Sequence, residues 1–266
     1  MSYCPACDNS DISHIFQPDL CQCNRCHVFF RSPRPTQKDI LECYDSASTF
    51  QLWQAESEKR AILWKKRLEL VKSYNKNGSL LDIGTGDGHF LDFAKDIYNA
   101  SATEVSLSGV RYALARGHNV HHGSILDQHF DDEKFDIITM WHVLEHVPNV
   151  HEILSRVETL LKPGGTLLIA VPNELLSLCL FSLTRRRRHP FGMLKADKEI
   201  HLTHFTPRTF KNTLQSKFEV KEFGVDDVHV YGRYRHLPLL YVNKLLNFLF
   251  KTHFDKAMYI VCRAED

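Results

Sequence analysis

Residues 80–93, LLDIGTGDGHFLDF, decide the fold of this chain. An apolar run leads into three glycines at positions 84, 86 and 88, and apolar residues then recur at helical spacing. The pattern predicts a buried strand, a glycine loop and a helix, because glycine adopts backbone conformations that other residues avoid. A dinucleotide-binding loop has the spacing Gly-x-Gly-x-x-Gly, which differs from this one. The spacing therefore disfavours an NAD-dependent oxidoreductase.

The stretches that follow residue 79 alternate between strand-like and helix-like patterns. The strand-like stretches are SLLDI, ASATEV, NVHHGSI, FDIITMW, TLLIAVPN, FEVKEFGV and KAMYIVCRA. Such alternation predicts an α/β fold in which a seven-stranded, mostly parallel sheet carries helices on both faces. Ligands of such sheets bind at the carboxyl ends of the strands.

Residues 1–36 contain two Cys-x2-Cys pairs. The pairs, Cys4 with Cys7 and Cys23 with Cys26, can place four thiolates tetrahedrally around a zinc ion. Four thiolates leave no coordination position for water. We therefore expect a small zinc-ribbon-like module whose metal is structural.

The third zinc ligand has two candidates. Either Cys21 or Cys23 could supply it, and the Cys-x2-Cys spacing favours Cys23. His27 follows the second pair, and we expect it to be exposed or to lie just outside the ligands.

Residues 37–78 are expected to form a helical linker. Apolar residues recur there at intervals of three and four, which is typical of one face of a helix, and Gly78 marks the end. We expect this helix to pack the ribbon onto the main domain, residues 79–266. Insertions near 175–205 and 228–254 interrupt that domain, and the second is expected to hold an amphipathic helix.

The overall composition is that of an ordinary globular protein. The chain has 266 residues, is 43% hydrophobic and 24% charged, and has a net charge of +1. This charge gives no general attraction to nucleic acid or membranes, and no segment has the length of a membrane span. Because no secretory signal is apparent, we expect the cytosol, and we expect the eight cysteines to bind metal or remain thiols.

The segment from Asp82 to Gly88, an acidic residue followed by Gly-x-Gly-x-Gly, resembles the first motif of the S-adenosylmethionine-dependent methyltransferases of the Rossmann-like class, such as types 11, 12 and 23. The stretches FDIITMWHVLEHVPN, LLKPGGTLLIAVPN and EIHLTHFTPRTFKNTL resemble later motifs of that family. The likeness covers residues 79 to about 225. It implies a Rossmann-like fold, S-adenosylmethionine as the cofactor and methyl transfer as the activity.

The resemblance and the chemistry of the cofactor together indicate the binding residues. Glycines let the backbone lie against the methionyl and ribose groups, where a Cβ atom would collide. Glu104, at the end of the second strand, can accept hydrogen bonds from both ribose hydroxyls. Trp141 is expected to lie against the adenine or in the core. The expected cofactor-binding residues are Asp82, Gly84, Thr85, Gly86, Gly88, Glu104, Val105, Ser124, Ile125 and Trp141.

Three histidines are the candidate catalytic residues. His142 follows the fourth strand, whereas His201 and His204 lie in the segment expected on the substrate side. A base matters if the methyl acceptor is a hydroxyl and matters less for an amine or an acidic carbon. Each histidine could equally be a hydrogen-bonded structural residue. Glu145 and His146 are expected mainly to hold the loop after the fourth strand.

The resemblance implies a small-molecule acceptor, which could be sugar-linked, phosphate-bearing or lipid-like. The alternative is an RNA or protein methyltransferase whose ribbon grips a macromolecule. Only Arg25, Arg31 and Arg34 are basic in the ribbon, which disfavours nucleic acid. A binding module without turnover is a third reading, and the intact glycine motif argues against it.

Four consecutive arginines, Arg185, Arg186, Arg187 and Arg188, follow an apolar stretch in the first insertion. Guanidinium groups could bind a phosphate-bearing substrate. They could instead contact anionic lipid, which would make the protein peripheral to a membrane. A solvated run of charge is the plain alternative.

Overall fold

The computed structural model describes residues 3–16, 20–35, 39–40, 42, 57–130, 133–175, 177, 201–226 and 256–265. No helix within these ranges has the length and apolar character needed to cross a bilayer. The arginine run and most of both predicted insertions lie outside the described residues.

The strands of the described residues form two sheets. They are β1 (Ile12–Phe16), β2 (Leu20–Cys23), β3 (Phe29–Arg31), β4 (Ser79–Ile83), β5 (Asn99–Glu104), β6 (Asn119–His122), β7 (Phe135–Trp141), β8 (Leu161–Pro172), β9 (Thr203–His204), β10 (Glu219–Val225) and β11 (Ala257–Arg263). The large sheet has the order β10-β11-β8-β7-β4-β5-β6, and the small sheet has the order β1-β2-β3-β9. In the large sheet the pairs from β8 to β6 are parallel, and β11 is antiparallel to both of its neighbours. The predicted α/β fold with a seven-stranded, mostly parallel sheet is confirmed.

Five helices have both ends within the same ranges. They are α1 (Ser57–Tyr74), α2 (Leu91–Ala94), α3 (Leu107–Ala115), α4 (Val150–Leu160) and α5 (Pro207–Gln215). Three of these helices, α3, α4 and α5, have a side-chain N-cap. The capping residues Ser106, Asn149 and Thr206 accept hydrogen bonds from backbone amides of the first turn. Thr206 forms a reciprocal capping box with Thr209.

The helix after the glycine loop, α2, has only four residues, with turns on both sides. Strand β8 begins at Leu161, and its pairing with β7 is irregular between Phe135 and Ile137.

The two faces of the large sheet bury different helices. Successive residues of a strand point to opposite faces, so Leu81 and Ile138 pack in one cluster and Leu80 and Ile137 in the other. The first cluster contains apolar residues of α4, α5 and the ribbon. The second contains apolar residues of α1 and α2, such as Trp64.

The ribbon joins the large domain through β9. Strand β3 pairs with β9, and the amide of Arg31 donates to the carbonyl of Leu202. The amide of His151, at the start of α4, donates to the carbonyl of Pro5. Helix α1 packs on the opposite face of the large sheet. Whether the rest of the predicted linker helps to hold the ribbon stays a prediction. The domain boundaries stay a prediction.

Candidate functional site

The glycine loop follows β4 at the carboxyl edge of the large sheet. Gly84, Gly86 and Gly88 have φ angles of 72°, 61° and 76°, a region that side chains make costly. A Cβ atom on Gly84 would lie 2.6 Å from Val143 Cγ2, and one on Gly88 would lie 2.8 Å from His118 Cδ2. The loop therefore requires glycine for both conformation and space.

Glu104 ends β5 and faces this loop. Its carboxylate accepts hydrogen bonds from the amides of Gly86 at 2.7 Å and Ser106 at 2.8 Å. The residue is 7% exposed, and burial raises the pKa of its carboxyl group. Each oxygen keeps a second lone pair that could accept a ligand hydroxyl.

Asp82 lies in β4, two residues before Gly84. Its Oδ1 accepts a hydrogen bond from Thr139 Oγ1 at 2.7 Å. Burial raises the pKa of Asp82 to about 7. Thr85 continues from the strand into the loop, where its amide donates to the carbonyl of Thr103. Whether Asp82 and Thr85 touch the cofactor stays a prediction.

Three further residues of the predicted cofactor site, Val105, Ser124 and Ile125, lie beyond β5 and β6. The carbonyl of Val105 is 3.2 Å from His122 Nε2. Ser124 Oγ accepts a hydrogen bond from the amide of Leu126, and Ile125 is buried in the core. Their contacts with the cofactor stay a prediction.

Arg67 of α1 lies between two indole rings. Its guanidinium carbon is 4.6 Å from the ring centroid of Trp64 and 4.7 Å from that of Trp141. Trp141 also meets the ring of Phe90 edge-on at 5.6 Å. Arg67 Nε donates to Asp226 Oδ1 at 3.2 Å, and both side chains are almost fully buried. Trp141 thus lies in the core, which was one of its two expected places.

His142 connects Asp226 to the loop after β7. Its Nε2 is 3.0 Å from Asp226 Oδ2, and its Nδ1 is 3.4 Å from Glu145 Oε1. Burial alone would lower the pKa of His142, but hydrogen bonding to these two carboxylates outweighs burial and raises the pKa to about 9. At neutral pH the ring is protonated, so both nitrogens are donors and neither can accept a proton.

A second link from α1 reaches the glycine loop. The carboxylate of Asp87 is fully buried and pairs with Arg60 at 2.8 Å. The guanidinium of Arg60 also lies 5.5 Å from the ring of Trp64. Helix α1 therefore contacts the loop through Arg60 and the segment after β10 through Arg67.

Beyond His142 lies a group of polar side chains that we call the histidine–glutamate cluster. Its members are Glu145, His146, Glu174, His201 and His204. His146 Nε2 is 3.8 Å from Glu145 Oε1, and the His146 ring is 4.9 Å from that of His201. Glu174 Oε1 is 3.9 Å from Nδ1 of both His201 and His204. Burial raises the pKa of Glu174, but the two histidines outweigh burial and lower it to about 2. The structure thus brings the three predicted catalytic histidines into one row.

The cysteines of the two pairs converge in the ribbon. The Sγ atoms of Cys4 and Cys26 are 3.5 Å apart, those of Cys7 and Cys23 are 3.6 Å apart, and all four lie within 4.8 Å of one another. Four sulfurs around zinc, each about 2.3 Å from the ion, would lie about 3.8 Å apart. The four cysteines fit a tetrahedral zinc ion.

The structure places Cys21 outside this group. Its Sγ is 3.3 Å from His14 Nδ1. Of the two candidates for the third ligand, Cys23 is the one that lies with the other thiols. His27 is exposed, which was one of its two expected places.

Several residues of the site were not predicted from the sequence. Arg60, Trp64 and Arg67 recur at intervals of four and three, so two cations lie on the buried face of α1. That pattern was a usable signal, because arginine is seldom buried without a partner. Glu174 lies two residues after β8 and Asp226 directly follows β10, at the edge where ligands bind.

The chain is similar to known methyltransferases. Residues 53–217 match the family model described as "Methyltransferase domain". A ubiquinone biosynthesis O-methyltransferase of Glaesserella parasuis serovar 5 is 33% identical over 156 residues, which are 52% of this chain and 65% of that protein. The match therefore spans less than two thirds of the relative's own length.

Two solved structures share the fold. The plantazolicin methyltransferase BpumL in complex with SAH has a TM-score of 0.56 at 15% identity, with 86% of this chain and 95% of that chain covered. A SAM-dependent methyltransferase from Archaeoglobus fulgidus has a TM-score of 0.51 at 21% identity, with 80% and 99% covered. The family match, the strand order and the glycine loop agree, and the chain therefore belongs to the methyltransferase-domain family with a Rossmann-like fold.

Proposed function

We propose that the protein transfers a methyl group from S-adenosylmethionine to a small-molecule acceptor. The glycine loop carries this proposal: three glycines with positive φ lie at the end of β4 and face the buried carboxylate of Glu104. A loop of this kind admits a ligand against its backbone, and Glu104 suits a ribose.

The residues around the loop fit the cofactor. The methionyl and ribose groups would lie against Gly84, Thr85, Gly86 and Gly88, in the space that Cβ atoms would fill at Gly84 and Gly88. Glu104 and Val105 would bind the ribose, and Ser124 and Ile125 would flank the adenine. When bound, the cofactor supplies an electrophilic methyl group on a sulfonium, and the protein's task is to hold the acceptor in line with it.

The acceptor is proposed to carry a hydroxyl group. The matched relative is named an O-methyltransferase, and the histidine–glutamate cluster offers the polar groups that a hydroxyl acceptor needs. His201 and His204 are the candidates for contact with the acceptor. His142 is better suited to positioning, because its ring is protonated between Asp226 and Glu145.

The ribbon is proposed to bind a structural zinc ion through Cys4, Cys7, Cys23 and Cys26. Its pairing with β9 favours a role in supporting the acceptor side. The guanidinium of Arg34 already donates to the carbonyls of Tyr3 and Pro148. This engagement disfavours the alternative in which the ribbon grips RNA.

Calorimetry on the zinc-loaded protein tests the proposal. We expect S-adenosylhomocysteine to bind and the Gly86→Arg variant to lose at least about 100-fold in affinity, which is ~3 kcal/mol. The control is Gly117→Ala, which replaces another glycine with positive φ (80°), at the end of α3, where a Cβ atom meets nothing within 4 Å. Its affinity should match the wild type.

Two results would contradict the proposal. One is an intact, zinc-loaded protein that binds NADH more tightly than S-adenosylhomocysteine. The other is equal cofactor affinity in the wild type and Gly86→Arg. A salt-sensitive shift on RNA would favour the macromolecular alternative.

A further inference from the structure

One grouping in the histidine–glutamate cluster combines a carboxylate with two imidazoles, which is a common set of metal ligands. Glu174 Oε1 lies 3.9 Å from Nδ1 of His201 and 3.9 Å from Nδ1 of His204. These separations are longer than hydrogen bonds. One donor atom from each of the three residues lies within 4.8 Å of the others. Three donor atoms that converge in this way can act as ligands of one metal ion.

We propose that Glu174, His201 and His204 bind a divalent first-row transition-metal ion. Two imidazoles and one carboxylate suit zinc, iron or manganese. Donor atoms around such an ion lie roughly 3 to 3.5 Å apart, so the present separations, all within 4.8 Å, need to shorten by about 2 Å or less. The site is separate from the four cysteines of the ribbon.

The backbone holds the three ligands in place. The amide of Glu174 donates to the carbonyl of Phe205 at 2.9 Å, which joins the end of β8 to the segment that carries both histidines. The amide of Leu202, between the histidines, donates to the carbonyl of Glu145 at 2.7 Å. His204 itself belongs to β9, which pairs with the ribbon. Ligands fixed in this way lose little freedom when they bind an ion.

The site is closed on one side and open on the other. The side chain of His204 is 1% exposed, whereas those of Glu174 and His201 are 14% and 21% exposed. A site with three protein ligands keeps a coordination position for water or substrate. That position is open at the carboxyl edge of the sheet, where a methyl acceptor is expected.

A role in methyl transfer rests on the proposed function, whereas binding of the ion does not. A bound cation lowers the pKa of a coordinated hydroxyl. The acceptor hydroxyl would release its proton to solvent, and its oxygen would form a bond to the methyl carbon. The carbon–sulfur bond would break with its electron pair on sulfur, which leaves a neutral thioether and a methyl ether.

Glu145, His146 and His201 form an overlapping group of three donors. The two groups share His201, so a single ion at His201 selects one carboxylate. Glu145 Oε1 already lies 3.4 Å from Nδ1 of the protonated His142. The geometry therefore favours Glu174 as the carboxylate ligand.

The test is a titration with Mn²⁺ of protein that carries one zinc ion per chain, which the four thiolates of the ribbon bind in preference to the proposed site. Binding is followed by the loss of the electron paramagnetic resonance signal of free Mn²⁺. The ribbon retains its zinc, because thiolates prefer zinc to manganese. We expect one Mn²⁺ ion per chain, displaced by added Zn²⁺. His201→Ala, His204→Ala and Glu174→Gln should each weaken binding by more than about 100-fold. His121→Ala, on the far edge strand β6, should bind as the wild type does.

Three results would overturn the inference. The first is that neither Mn²⁺ nor Zn²⁺ binds beyond the ribbon. The second is unchanged binding in His201→Ala, and the third is loss of binding in Glu145→Gln but not in Glu174→Gln. S-adenosylhomocysteine affinity, measured on the same samples, reports whether each variant is folded. If the wild type binds S-adenosylhomocysteine but no ion, the proposed function stands and this inference fails; if it binds no S-adenosylhomocysteine, the proposed function fails whatever the ion does.

Discussion

The glycine loop and the histidine–glutamate cluster both lie at the carboxyl edge of the large sheet, but they are built from different parts of the chain. The loop uses backbone conformation and amides within residues 84–106, with Glu104 as its nearby acid. The cluster uses side chains that follow β7, follow β8 and belong to the segment around β9. A site made of backbone tolerates distant changes, whereas a site made of side chains depends on the elements that support it.

Loss of the proposed zinc ion should give the largest loss of stability. It should disturb the histidine–glutamate cluster and leave the glycine loop intact. Cys23→Ser removes one thiolate from the proposed structural zinc site, and such sites contribute about 10 kcal/mol or more of binding free energy. Because β3 pairs with β9, we expect the amides of residues 201–204 to lose hydrogen-exchange protection. S-adenosylhomocysteine binding should remain.

Cys21→Ser is the matched control, since Cys21 is buried but lies apart from the four thiols. It should retain one zinc ion per chain. Unchanged protection of residues 201–204 in Cys23→Ser would contradict the link between the ribbon and the acceptor side.

Breaking the buried pair between α1 and the end of β10 should give the next largest effect. Asp226→Asn leaves Arg67 buried without its carboxylate partner, which costs about 3–5 kcal/mol in the free energy of unfolding. Urea unfolding measures this change. Glu69→Gln, which removes a carboxylate from an exposed pair with Lys72 on the same helix, should cost about 0.5 kcal/mol or less. Equal losses in the two variants would show that burial of the Arg67 pair has no special role.

The pH dependence of stability should report His142. Its pKa is raised to about 9 in the folded chain, from about 6.5 in the unfolded chain. Between these pH values the folded state binds a proton that the unfolded state has lost. The stabilisation that protonated His142 gives to the folded state is therefore complete below pH 6.5 and is lost as the pH rises to about 9. The loss is at most about 3 kcal/mol.

The matched variant for this test is His142→Asn, because His142 has a φ of 59° and asparagine accepts positive φ better than most residues. Unfolding free energies of this variant should change less between pH 6.5 and 9 than those of the wild type. Identical pH profiles would show that the ring is not charged between Asp226 and Glu145.

The smallest effect is expected at the helix that follows the cluster. Thr206 caps α5, two residues after His204, and Thr206→Ala should cost about 1 kcal/mol. Thr159→Ala, at an exposed position of α4, should cost less. The midpoint of thermal unfolding measures both, and affinity for S-adenosylhomocysteine should be the same in the two variants. A larger loss in Thr159→Ala would contradict the capping role.

The contrast between the two sites also explains what the sequence could predict. The strands and the glycine loop follow from patterns within a few residues, because hydrophobic periodicity and glycine spacing are local signals. The thiol cluster was predicted for the same reason, since each Cys-x2-Cys pair is a local turn. Spacing favoured Cys23 over Cys21 as a ligand, and the structure places Cys23 with the other three thiols.

The acceptor side could be predicted only in part. The histidines stood out as candidates, but their partners Glu174 and Asp226 are distant in the chain and carry no motif. The attachment of the ribbon through β9 was missed because a two-residue strand has no detectable periodicity. Arg67 was missed because its pairing with Asp226 joins residues 159 positions apart.

The most direct test of the central claim is a crystal structure of the zinc-loaded protein with S-adenosylhomocysteine. We predict that the ligand lies against the backbone of Gly84 to Gly88, with its ribose hydroxyls on the Glu104 carboxylate and its sulfur toward the histidine–glutamate cluster. A ligand bound elsewhere, or a ribose away from Glu104, would contradict this account.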